Sequence, residues 1–176
     1  MLAGTGRVIL SGDPSLMGEV LDAGREAATM GARAGLPFMT GLVVEAQLAT
    51  GLLEATEGLL DMVDNVAEET GQRYWSAENM RLRGELRCAV DGSTAGAEEF
   101  FRKAMVIAEE QDSAPSALRA ATRLARALLD RGERAEADAI LRRARARIEG
   151  GETLRDVREA EALLASAQPV ENPSPG

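Results

Sequence analysis

Residues 74–149, YWSAENMRLRGELRCAVDGSTAGAEEFFRKAMVIAEEQDSAPSALRAATRLARALLDRGERAEADAILRRARARIE, decide how this chain folds. Breaks at Gly, Asp or Pro divide the stretch into helices expected over about 74–90, 95–111, 114–131 and 134–149. Two landmarks recur inside it. Ala67-Glu68-Glu69 closes one helix, and Ala108-Glu109-Glu110 closes another about 40 positions later. Asp91-Gly92 ends one first helix, and Asp130-Arg131-Gly132 ends the next at a similar distance. A period of this size built from paired helices predicts a helical stack, because one pair cannot bury its apolar face alone. The expected fold is all-α: a right-handed α-solenoid of about three helical hairpins closed by a C-terminal capping helix.

Composition agrees with helix. Apolar residues make up 45% of the 176, but only 3% are aromatic, and Ala and Leu carry most of the core. Such residues suit close helix–helix contact, whereas a sheet favours Val, Ile, Thr and Tyr. A formal charge of −9 and a pI near 4.7 argue against a general binder of nucleic acid or anionic membrane. The charge is uneven. Residues 1–70 carry eleven acids against three arginines, a net of −8, while residues 119–147 carry nine arginines against four acids, a net of +5. Such asymmetry orients two copies head to tail, attracts an acidic partner to one end, or simply reflects solvated faces of amphipathic helices. Cys88 is the only cysteine, so no internal disulfide forms, and Val8-Ile9-Leu10 is too short for a signal peptide or a membrane span. The chain reads as cytoplasmic.

Along the chain, Asp13 and Pro14 open a helix whose stripe of Leu16, Val20, Ala23, Ala27 and Met30 runs to about Ala34, with Gly35 as its cap. Residues 1–35 read as a partial N-terminal repeat, as though the chain were cut from something longer. Residues 36–150 hold the hairpins. Pro37 begins a helix ending at Thr50-Gly51, and its partner over about 53–70 faces inward with Leu59, Leu60, Val63, Val66 and Ala67. Residues 151–167 form the capping helix, with Thr153 as N-cap, Asp156 as a shortened capping box and a stripe of Val157, Ala160, Leu163 and Leu164. The proline-rich residues 168–176 read as a disordered tail.

Small residues stand where two helices of one unit must approach closely. One unit has Ala125, Ala137 and Ala144 with Leu141; the one before it has Gly84, Ala97 and Ala104 with Phe101. This set resembles the tetratricopeptide repeat, because a larger side chain would push paired helices beyond about 8–10 Å. The first unit, with Val44, Thr56, Leu60 and Val63, matches poorly. A further resemblance rests on the runs at 67–75, 82–86, 118–125 and 151–164, which look like the C-terminal repeat region of bacterial signalling ATPases. Members of that group often carry a class III adenylate cyclase or a DNA-binding domain at the other end. The resemblance implies a tetratricopeptide-like fold and a regulatory or interaction role, with no active site in this region.

Chemistry is scarce. There is no Gly-x-x-x-x-Gly-Lys-Ser/Thr phosphate cradle, Lys103 is the only lysine, and Gly4-Thr5-Gly6 has no strand before it. Without histidine no Ser–His or Cys–His pair and no imidazole metal ligand can be assembled. Cys88 reads as a small core side chain, and adjacent acids such as Glu98-Glu99 point about 100° apart on a helix. No catalytic residue, metal or cofactor is expected. What remains is a groove on the first helices of the hairpins. Its candidate partner-binding residues are Glu45, Glu78, Arg81, Glu85, Arg119, Thr122 and Arg126, with Cys88 and Leu129 at matching positions. Arg119 and Arg126 lie two turns apart on one face. They either fork onto the carboxylate of a peptide or pair with Glu78 and Glu85 and glue the stack. Trp75 reads as an anchor against the preceding unit. The expected function is a non-enzymatic scaffold for protein or peptide partners, including a possible homo-oligomer; the alternative is a sensory module holding a small effector between repeats.

Overall fold

Glycine and proline punctuate the helices. In a computed structural model, which describes residues 35–167 together with Gly18 and Asp22, α1 spans Leu36–Thr50 and α2 Thr56–Thr70. They are followed by α3 Ser76–Asp91, α4 Glu98–Glu110, α5 Ala114–Asp130, α6 Arg134–Arg145 and α7 Arg155–Ala167. Among the described residues every regular element is a helix, and none is long and apolar enough to cross a membrane. The helix expected over 13–34 and the tail from 168 lie outside the described residues.

Several boundaries shift for local reasons. Gly51 ends α1 at φ +71°, a backbone state open to glycine at no steric cost, and Gly92 ends α3 in the same way. Ala55 takes φ +65°, so α2 starts at Thr56 rather than near 53. Gly35 has φ −87° and stands at the N-cap of α1. The end of α6 tightens into i→i+3 bonds from Arg147 to Ala144 and from Ile148 to Arg145, so the helix stops at Arg145 instead of running to 149. Thr153 is not the cap of the last helix. The Leu154 carbonyl accepts the first bond, from the Arg158 amide, so Leu154 holds that place.

Each helix packs on the next, and a second set of contacts joins α1 to α3, α3 to α5 and α5 to α7. The small residues sit at the close approaches. Ala97, Ala104, Ala125, Ala137 and Ala144 are buried with Phe101 and Leu141 between them. A Cβ on Gly84 would lie 2.4 Å from the Phe101 ring, so glycine lets α3 and α4 meet. The first hairpin buries its matching positions as well: Val44, Thr56, Leu60 and Val63 are all inside. Its larger side chains fill the space, and the Thr56 hydroxyl is satisfied by donating to Gln47 Oε1 at 3.0 Å. Trp75 ties α3 to α1. Its ring lies edge-on to Phe38 at 5.4 Å, and it covers Gly41, where a Cβ would come within 2.7 Å of Nε1. Finally, α7 lies across both α5 and α6 and closes the largest apolar cluster with Val157 and Ala160.

Candidate functional site

The face shared by α1, α3, α5 and α7 is built from one helical stripe per element. On α3 the steps 78, 81 and 85 place Glu, Arg and Glu on one side; on α5 the steps 119, 123 and 126 place three arginines there. Opposite them, α1 supplies Glu45, and α7 supplies Asp156 and Glu159. Helix by helix the sign runs acidic on α1, mixed on α3 and basic on α5, and Arg81, Arg119, Arg123 and Arg126 each find a carboxylate on a neighbouring helix.

Arg81 is the hub. Its side chain is only 2% exposed, and its donors go to three glutamates: Nε to Glu78 at 2.8 Å, Nη2 to Glu45 at 2.6 Å, and Nη1 to Glu85. Burial alone would lower its pKa, but Glu85, Glu78 and Glu45 together raise it far above the ordinary arginine value. Arg119 reaches the same glutamate pair from α5, bonding Glu45 and, at 2.9 Å, Glu78. Arg123 bridges Glu85 at 2.6 Å and Glu159 at 2.7 Å, thereby joining α3, α5 and α7. Burial pushes the Glu85 carboxyl upward, yet Arg81 and Arg123 outweigh it and hold that group below its usual range. The second oxygen of Glu78, Oε1, is buried without a hydrogen-bond partner, a cost that the two arginines on Oε2 must offset.

The sequence-derived candidates therefore share one face, but their pairings differ from the spacing argument. Glu45, Glu78, Arg81, Glu85 and Arg119 form one connected network. Arg126 does not meet Glu85; it bonds Glu159 at 2.9 Å, and Arg123, one turn earlier, takes Glu85. Thr122 is buried and turns its hydroxyl onto the Leu118 carbonyl of its own helix. Arg123 and Glu159 were not foreseen. Their signal was present in the i, i+4, i+7 run 119–123–126 and in the i, i+3 acids 156–159, but it names a helical face and not a partner.

Between these helices lies a polar cleft of about 240 Å³, lined by Glu45, Arg81, Glu85, Arg119, Arg123 and Asp156 among others. A second cleft of about 340 Å³ runs past Leu48, Cys88, Phe101 and Arg126. Cys88 is half-buried there, and burial with the nearby Glu85 charge pushes its thiol up. It therefore stays protonated near neutral pH and is a poor nucleophile.

Set against known proteins, no family model, no curated protein and no solved structure matches this chain.

Proposed function

We propose that this chain is a non-enzymatic interaction scaffold, a tetratricopeptide-like α-solenoid that presents the face of α1, α3, α5 and α7 to a protein or peptide. On this reading it is the regulatory region of a signalling protein. The carrying observation is the second set of contacts, in which alternate helices line up and their polar side chains gather on one face. Stacked hairpins that contact only their neighbours offer extended surfaces of this kind.

The test is an unbiased peptide library panned on the full chain, followed by amide shift mapping with the selected peptides. Shifts concentrated in α1, α3, α5 and α7 support the reading. Shifts concentrated in α2, α4 and α6, or no peptide retained at all, reject it.

The polar cleft favours a second reading, in which a small effector binds between repeats and controls a linked domain. Its volume of about 240 Å³ falls below the roughly 300–1,000 Å³ usual for ligand pockets. Its charged groups other than Arg155 are also already paired. A metabolite panel that never raises the melting temperature removes this alternative.

A further inference from the structure

The interlocked network leaves one group of cations over, and it lies at the α7 end of the same face. Arg155 and Arg158 are exposed and have no ion pair or hydrogen-bonded side-chain partner among the described residues. With Arg126, Thr153 and Glu159 they line a shallow cleft of about 490 Å³. This cleft shares Arg155 and Glu159 with the deeper polar cleft between the helices. Arg126 contributes one contact to Glu159 and is 49% exposed, while Glu159 Oε1 is also held by Arg123. Three arginines against one shared carboxylate leave a net charge of +2 on the rim of a chain whose own charge is −9.

We propose that this rim captures an acidic segment of a partner protein. The inference rests on the scaffold reading above and moves the capturing residues from the network's centre to its open end. Arg119 is not available for that task, since Glu45 and Glu78 already occupy its guanidinium. Unpaired guanidinium groups bind carboxylates through paired, parallel hydrogen bonds. Two carboxylates a few residues apart on an extended peptide can engage Arg126 and the α7 pair together. The deeper network sets Glu45, Glu78, Glu85 and Asp156 against Arg81, Arg119 and Arg123 and so has no surplus positive charge, and selection for acidic sequence arises at the rim.

The probe is a fluorescein-labelled hexaglutamate peptide, titrated with the full chain at low salt, where exposed charges are least screened. Binding should weaken about tenfold or more in R155E/R158E, and a control reversal on the outer surface of α4, R102E/K103E, should leave it unchanged. Both variants should keep the wild-type circular dichroism, since the altered side chains are exposed. Equal binding to wild type and R155E/R158E overturns the proposal. So does equally tight binding of an oligothymidylate of matched charge, which would mark a general anion surface. Displacement of the peptide by inorganic phosphate at similar concentration overturns it too. If the peptide signal instead depends on protein self-association in sedimentation, a second copy is the occupant and the proposal fails. Library peptides that map to this face without being acidic would sink the inference and leave the scaffold reading standing.

Discussion

On the inner face Arg81 holds three glutamates and is 2% exposed; on the outer surface Arg102 holds Glu98 at 2.8 Å and Glu136 at 2.6 Å and is 44% exposed. Distances and residue types are alike, yet the two sites do different things. Water screens the outer pairs, and their long side chains lose entropy when held, so each contributes little. The inner groups have left water, and that loss of hydration is offset only while every partner is present. Ion pairs thus decorate one side of this protein and hold the other in register. The same contrast governs recognition, because a surface whose charges are internally matched has little left to attract a partner.

Removing the hub should have the largest effect. Arg81→Met leaves Glu78, Glu45 and Glu85 short of their shared cation and should cost about 3–5 kcal/mol in urea unfolding. A loss under about 1 kcal/mol would erase the distinction between the two surfaces.

Next in size is Gly84→Ala on the side of α3 that meets α4, where packing instead of charge sets the helix position. Alanine favours helix by roughly 1 kcal/mol. The close approach of an added Cβ to the Phe101 ring overrides that gain, and a net loss of about 1–2 kcal/mol is expected. Phe101→Leu combined with Gly84→Ala should recover part of it, because the smaller side chain vacates the contact. No recovery would show that Phe101 is not the obstacle.

Acid should act on the inner face through Glu85. Its folded pKa lies below the ordinary glutamate value of about 4.3. The unfolded chain therefore takes up its proton first as pH falls. The stability Glu85 contributes is complete above that value and is lost as pH drops through the folded pKa. Urea midpoints of wild type and Glu85→Gln should differ at pH 7 and converge as pH is lowered below the ordinary carboxylate range; a gap that does not change with pH contradicts the assignment.

The smallest effect belongs to the outer surface. Arg102→Ala should change stability by about 0.5 kcal/mol or less. A loss comparable to that of the hub would mean that exposure does not separate the two sets.

Much of the architecture was legible along the chain. Pro37, Gly51, Gly71 and Gly92 marked helix limits, and Gly84, Ala97, Ala104 and Ala125 marked close approaches. The finer boundaries were less so. A left-handed Ala55 and a Leu154 cap carry no composition signal, since neither residue type prefers its position. The first hairpin shows the same limit, because Val44 and Thr56 are larger than Gly84 and Ala97 of the next hairpin and yet are buried as they are.

The sequence by itself determined roughly where the helices lie, which stripe of each is apolar, and that Glu78, Arg81 and Glu85 share one face of α3 and Arg119 and Arg126 one face of α5. Those properties follow from a period of 3.6 residues, which is local to one element. Only the tertiary structure decided that Glu85 belongs to Arg123 and not Arg126, that Glu45 is shared by two arginines, and that Arg155 and Arg158 are left unpaired among the described residues. A long guanidinium can reach several carboxylates, and the offset between neighbouring helices selects among them. Small-residue packing where each helix meets the next in the chain sets that offset.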